Sequence, residues 1–412
     1  MDHDSESNDG PIRSVIVVND HQSDMRHAKE HTKPKILMII SLFHPFAGGA
    51  EKSCQQLCNG LMGQGFSVAL LTQRSEGLPE YEVVDGIPVY REIKGWHLFE
   101  LTYMLSVLYF LLKHRREYDI IHCFGIYLFV PPALLMKYLF GKKVILRLLC
   151  SGQFGDFWRV DQLKWKKVVM GSSRRMDRIV FLSNDIKREL IENRFPVQIL
   201  AHISNGVDVE RFKPQTENRH CHFKNICFVG RLEEQKGVDY LMRAVAAIQE
   251  KGNDIRLFIV GDGRLSAALK NLCKVLKLDD RVVFTGHAQD VLPYYQDADV
   301  FVLPSVSEGM SVALLEAMAC GLPVVATCAG GNADLLDPDL KNKEIVSNYH
   351  IGANGILVRP KDDAGLAEAI LELLNDTDLS RQLGEKARRA VKENYSQKKI
   401  MNEYTDLYDS LS

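Results

Sequence analysis

Nine cysteines are spread over 412 residues without a single Cys-x-x-Cys pair, and no group of His and Cys stands at zinc spacing. Structural zinc and dithiol redox chemistry are therefore excluded. Cys54, Cys58, Cys123, Cys227 and Cys273 fall inside apolar segments, as buried thiols do in a reducing compartment. Long apolar runs are also missing. The longest nearly apolar stretch, Leu98–Leu112, has fifteen residues and contains Glu100, too short and too polar to span a bilayer, so a buried or interfacial helix is expected. Met1–Asp9 is polar and acidic, unlike the start of a secretory signal, and a cytoplasmic protein is expected. No Asp-x-Asp cluster stands where a divalent ion would bridge phosphates, no Walker lysine follows a strand, and no metal or cofactor is expected.

Strong charge of one sign is absent as well, with a net charge of −2, and no nucleic-acid partner is expected. The distribution is uneven. Lys plus Arg against Asp plus Glu is 4 against 7 in residues 1–34, 22 against 15 in 35–200 and 25 against 31 in 201–412, or −3, +7 and −6. A basic first half suits an anionic acceptor or an anionic membrane surface, although a solvated basic face reads the same way. Two stretches favour the membrane. Leu98–Leu112 runs into Lys113-His114-Arg115-Arg116, and Trp158 and Trp165 stand beside Arg159, Lys164, Lys166 and Lys167. Peripheral docking on the inner face of the plasma membrane follows as an expectation.

What is present is an alternation of short β-branched runs with helical periodicity, the pattern of parallel sheets covered by helices. Runs at Ile36–Ile40, Phe66–Leu71, Ile120–Cys123, Val144–Leu149, Ile179–Leu182 and Val197–Ile203 predict one doubly wound domain. After a polar stretch between Phe212 and Cys221, runs at Ile226–Val229, Ile255–Val260, Val282–Thr285, Val300–Leu303 and Pro323–Ala326 predict a second. The expected organisation is a disordered polar tail over 1–34, Rossmann-like domains over 35–212 and 213–395, and a closing helix in 396–412. Ligands are expected in the cleft between the halves, beyond the strands' carboxyl ends.

Three segments sit where such a ligand would bind. In Pro304-Ser305-Val306-Ser307-Glu308-Gly309-Met310-Ser311, Ser311 is a plausible N-cap, so the amides of Gly309, Met310 and Ser311 would point from a helix start and seat a phosphate. Glu308 precedes that helix, and Glu316 lies inside it among apolar residues, where it needs sugar hydroxyls or a salt bridge as partner. In Gly230-Arg231-Leu232-Glu233-Glu234-Gln235-Lys236-Gly237, Arg231 offers a planar fork and Lys236 a mobile point charge, so both suit a departing diphosphate. Gly48-Gly49-Ala50-Glu51 lets a ligand approach the backbone before the first helix, without completing a dinucleotide fingerprint.

With these motifs in this order, joined by Asn205-Gly206-Val207-Asp208, Gly261-Asp262-Gly263 and Asn354-Gly355, the sequence resembles the retaining family-four glycosyltransferases of GT-B fold. The likeness runs from about Lys35 to the carboxyl end. It implies two Rossmann-like domains facing a central cleft, a nucleotide diphosphate sugar as donor and no metal; the expected acceptor is a hydroxyl of a glycan, lipid-linked or small-molecule compound. It further implies that Arg231 and Lys236 hold the diphosphate, Glu316 the ribose and Glu308 the donor sugar. Gly309, Met310 and Ser311 would take the distal phosphate, and Gly48 and Gly49 would line the donor or acceptor side from the opposite domain. The last helix would cross back to the first domain. One departure stands out. The family histidine that follows the strand Val144–Leu149 is missing from Leu149-Cys150-Ser151-Gly152-Gln153-Phe154-Gly155-Asp156, where Ser151, Gln153 and Asp156 are the polar candidates. That absence leaves a non-catalytic nucleotide-binding protein as an alternative, and the paired glycines leave a nicotinamide-dependent oxidoreductase.

Overall fold

A computed structural model describes residues 33–45, 48–96, 98–215, 223–340 and 345–411. Most of the polar tail, and 216–222 of the expected linker, lie outside the described residues. The first strands are β1 (Lys35–Ile40), β2 (Ser67–Gln73), β3 (Tyr81–Val84), β4 (Ile87–Ile93), β5 (Ile120–Phe124), β6 (Lys143–Arg147), β7 (Arg178–Phe181) and β8 (Leu200–His202). They form one sheet in the order β3-β4-β2-β1-β5-β6-β7-β8, parallel except at β3. The second set is β9 (Lys224–Val229), β10 (Ile255–Val260), β11 (Val282–Gly286), β12 (Val300–Leu303), β13 (Val324–Thr327), β14 (Tyr349–Ile351) and β15 (Ile356–Val358). Its order is β11-β10-β9-β12-β13-β15-β14, with only β14 antiparallel.

Strand order reverses at β1, between β2 and β5, and again at β9, between β10 and β12. A crevice opens outside the carboxyl ends of a parallel sheet at such switch points, because the crossing helices leave towards opposite faces. The Gly48-Gly49 turn follows β1, Arg231 follows β9, and the Glu308 loop follows β12. All three segments therefore stand at the two crevices.

Helix Gly49–Gly63 buries Cys54, Leu57, Cys58 and Leu61 on one stripe and ends before Gly65, whose φ of 88° breaks the helical path. The last helix, Gln397–Asp409, packs beside it on the same face of the first sheet, burying Ile400, Met401, Tyr404 and Tyr408 against Ile36, Met38 and Ile40. Helices Phe99–Lys113, Val130–Phe140 and Lys166–Ser173 cover the opposite face.

Two expectations change. The run Val197–Ile203 is a 3-10 turn, Val197–Ile199, followed by the short β8, because Pro196 sets a turn before the ladder begins. The run Val144–Leu149 leaves the sheet after Arg147, where Leu149 N and Cys150 N turn to the Asp156 carboxylate. Helix Phe99–Lys113 buries only one side. Among the described residues no helix is long and apolar enough to cross a membrane.

Candidate active site

The two sheets meet at their carboxyl ends, where the loop after β6 lies on the loop after β12. Ser151 donates from its amide at 3.4 Å and its hydroxyl at 3.2 Å to the carbonyl of Glu308, while Ser307 Oγ donates to the Ser151 carbonyl at 2.6 Å. Gly309 is packed so tightly that an added Cβ would strike the Leu149 carbonyl. Only glycine permits this approach of two backbones.

Glu308 is buried, accepts from Ser305 Oγ at 2.8 Å and pairs with Lys236 Nζ. Lys236 is thus not the mobile charge expected of it. It is held in a 3-10 turn, Glu234–Lys236, because a buried carboxylate requires a cation beside it. Arg231 differs. It is exposed and has no carboxylate partner among the described residues, and a methyl group added at Gly48 would lie 3.3 Å from its guanidinium carbon. The same methyl would collide with Glu51 Oε2, a buried oxygen without a hydrogen bond. Gly48 therefore faces Arg231 across the junction, whereas Gly49 opens onto free space.

Ser311 caps helix Val312–Ala319, its hydroxyl accepting from Leu314 N at 3.3 Å. Among the described residues, the amides of Gly309, Met310 and Ser311 donate to no protein acceptor. Donors free at a helix start suit an anion, and Arg231, at the end of β9, faces the Gly48 turn with the Glu51 carboxylate close by.

Glu316, 1% exposed, sits one turn further in. Its Oε2 accepts from Tyr295 OH at 3.0 Å, and its Oε1 pairs with Lys52 Nζ from the first helix. Burial and the neighbouring Glu316 push the Tyr295 hydroxyl well above its ordinary pKa, so it remains a donor. Glu316 thus has the salt bridge that its position demanded, and ribose hydroxyls reach it only by displacing Lys52.

A second tie between the halves was not foreseen. Asn205 donates from Nδ2 to the Met310 carbonyl at 2.7 Å, and its Oδ1 accepts from Ser53 Oγ at 3.0 Å and from Arg147. Arg147, at the end of β6, is 2% exposed and lies 4.8 Å from the Phe124 ring centre. A buried cation held by neutral acceptors and a ring face fixes the segment that fixes Met310.

The loop that lacks the family histidine is organised by Asp156, which accepts from Leu149 N at 2.6 Å and from Cys150 N and Ile126 N at 3.1 Å. Burial raises its pKa although those amides oppose the shift. Asp156 is a loop tie, not a stand-in for the histidine. Ser151 is committed to Glu308, and Gln153 alone is exposed. Phe154 holds a φ of 73°, a left-handed strain uncommon outside glycine. His122 is a core residue, its Nδ1 lying 2.6 Å from Tyr408 OH, and burial and then Arg147 keep its pKa well below the ordinary value.

Two Rossmann-like halves that meet at the carboxyl ends of their sheets define a GT-B architecture. Residues 47–211 match the family model described as Glycosyltransferase Family 4 and residues 223–376 that described as Glycosyl transferases group 1, and the chain belongs to this glycosyltransferase family. It is 28% identical over 396 residues to an uncharacterised glycosyltransferase of Methanocaldococcus jannaschii, covering 91% of this chain and 97% of that protein. The fold is that of sucrose-phosphate synthase from Thermosynechococcus elongatus, with a TM-score of 0.76 at 22% identity over 92% of this chain and 99% of that one. It is also that of Anabaena HepE in complex with UDP-glucose, with a TM-score of 0.72 at 19% identity over 92% and 100%.

Proposed function

We propose that the chain transfers a sugar, with retention and without a metal, from a UDP- or GDP-sugar to a hydroxyl of a glycan or lipid-linked acceptor. The observation that carries this reading is the set of free amides at Gly309, Met310 and Ser311, after β12, with Arg231 exposed after the adjacent strand β9. Charge that develops on a leaving diphosphate would be met by donors already in place, which is where electrostatic catalysis gains most. HepE, of the same fold, is titled as binding UDP-glucose, in keeping with a nucleotide-sugar donor.

Among the cleft carboxylates, Glu308 and Glu316 are each held by a lysine and Asp156 by three amides. None of these three is free to attack an anomeric carbon, and Glu51, whose Oε2 is buried without a hydrogen bond, sits at the Gly48 turn of the opposite half. That favours direct attack by the acceptor hydroxyl on the face the diphosphate leaves, its proton passing to a leaving phosphate oxygen, over a double displacement. Release of UDP or GDP from a panel of nucleotide sugars tests the reading, and turnover should persist in EDTA. Donor binding without turnover, with any acceptor class, would instead establish a nucleotide-binding protein.

The two glutamates should separate binding from chemistry. Glu316→Gln should raise the donor Kd roughly tenfold, about 1.5 kcal/mol for one charged hydrogen bond, with little further change in kcat. Glu308→Gln should lower kcat more than donor affinity, because it would contact the reacting sugar. Donor titration alongside steady-state rates measures both, and equal effects in the two variants would mean that the roles are wrongly assigned.

A further inference from the structure

Helix Phe99–Lys113 is apolar on two sides, with Glu100, Thr102, Ser106 and Lys113 its only polar residues. Its inner stripe, Tyr103, Val107, Phe110 and Leu111, is buried in the core. An outer stripe at helical spacing faces solvent, with Leu101 37%, Leu105 53% and Tyr109 66% exposed. Its neighbour, helix Val130–Phe140, turns Tyr138 and Leu139 outward, 64% and 59% exposed. A surface helix ordinarily carries polar residues on that side, and large contiguous apolar patches on a protein surface mark contact sites.

The apolar face is continuous with a basic groove. Glu100, in the first turn of helix Phe99–Lys113, accepts from the amides of Lys164 and Trp165, both at 2.9 Å. This anchors the start of helix Lys166–Ser173 beside it. Between that helix and the short helix Asp156–Asp161 lies a groove of about 300 Å³. Val160, Met170 and Phe157 form its apolar part, and Lys166, Lys167 and Arg174 outnumber the single carboxylate, Asp161, which pairs with Lys166 at 3.4 Å. Arg174 is oriented by its Nε bond to the Asn193 carbonyl at 2.9 Å. Trp158 and Trp165 are exposed beside the groove.

Charge complementarity names the occupant. Arg116, Lys143, Lys164 and Lys167 are exposed around this face without a carboxylate partner among the described residues. Apolar side chains flanked by unneutralised cations and two tryptophans match the layered chemistry of an anionic bilayer, acyl chains below and phosphates above. A second copy of the chain would bring the same cations against themselves.

We propose that this face, the outer stripes of Phe99–Lys113 and Val130–Phe140 with the Lys166–Lys167–Arg174 groove, docks on an anionic membrane with a lipid phosphate in the groove. The groove begins one short helix from the cleft. Helix Asp156–Asp161 follows directly on the loop whose Ser151 touches Glu308, and six residues span only about 9 Å. A docked amphiphile thus presents its head group at the cleft mouth. The docking stands on the surface itself, whereas the docked lipid's role as acceptor rests on the transfer reading.

Flotation of the full chain with vesicles of phosphatidylcholine, with or without phosphatidylglycerol, tests the docking. Binding should require the anionic lipid and weaken with salt. Lys166→Glu with Lys167→Glu should lower vesicle partition at least about tenfold, and Leu105→Ser with Tyr109→Ser should lower it comparably. Nucleotide release from donor alone is measured on the same variants and should be unchanged, which separates failure of the docking from failure of the transfer reading. The proposal is overturned if the wild type stays in the soluble fraction at low salt with anionic vesicles, or binds neutral ones equally. It is also overturned if Leu105→Ser with Tyr109→Ser abolishes a dimer while leaving vesicle binding intact.

Discussion

Arg231→Ala should slow sugar transfer by roughly 10²–10³-fold, about 2.7–4 kcal/mol of barrier, while changing the unfolding free energy by less than about 0.5 kcal/mol. The reasoning starts from its lack of partners. An exposed guanidinium with no ion pair among the described residues contributes little to folding, although the Glu51 carboxylate lies close to it across Gly48. It stands opposite Gly48 at the place where the first sheet's turn and the second sheet's turn converge. A group in that position acts on whatever charge grows in the cleft. Lys236→Ala is a poorer probe, although the sequence presents the two cations alike. Lys236 neutralises the buried Glu308, and its loss leaves a carboxylate with Ser305 as its remaining partner, at a cost to stability of up to about 3–5 kcal/mol. Steady-state kinetics and chemical denaturation on both variants distinguish the cases, and a wild-type rate in Arg231→Ala would remove that residue from the site.

The contrast between these two cations marks where sequence reading stops. Strand ends, the Ser311 cap and the glycine turns are local features, and local periodicity carries them. The apolar run Val300–Leu303 and the helix beginning at Val312 emerge as expected, because buried parallel strands and capped helices have their own signatures. The hairpin β3–β4 has a local signature as well. Asp85-Gly86, with φ of 49° and 83°, is the two-residue turn that Asp-Gly favours between strands. Strands β14 and β15 have three residues each, too short for any period to register. Partners across the cleft are a different matter. Lys52 follows Gly48-Gly49-Ala50-Glu51 directly, yet nothing in its neighbours says that its ammonium meets Glu316, 264 positions away. Asn205 was visible as part of a motif, but its bond to the Met310 carbonyl depends on how two sheets close. Side-chain chemistry names the candidates, and only tertiary closure decides which of them are already engaged.

That closure has one point with no slack. Gly309→Ala should lower transfer by about 10²-fold or more, since the added Cβ collides with the Leu149 carbonyl and a displacement of about 1 Å at reacting groups has that effect. Relief by rotamer change is unavailable, because the obstacle is backbone on a loop that Asp156 ties at Leu149 and Cys150. The loops must separate, and the bonds that span them go together: Ser151 to the Glu308 carbonyl, Ser307 to the Ser151 carbonyl, and Asn205 to the Met310 carbonyl. The stability lost should be modest, about 1–3 kcal/mol as for other overpacked sites, because each half keeps its own core. Small-angle scattering should then report a larger radius of gyration at a nearly unchanged unfolding midpoint. A folded variant with a normal radius and normal turnover would show that the Leu149–Gly309 contact opens and closes freely during the reaction. A raised kcat would identify the contact as a resting latch that slows product release. Loss of rate with an opened shape is the outcome expected if the halves must be closed, backbone against backbone, when the sugar is transferred.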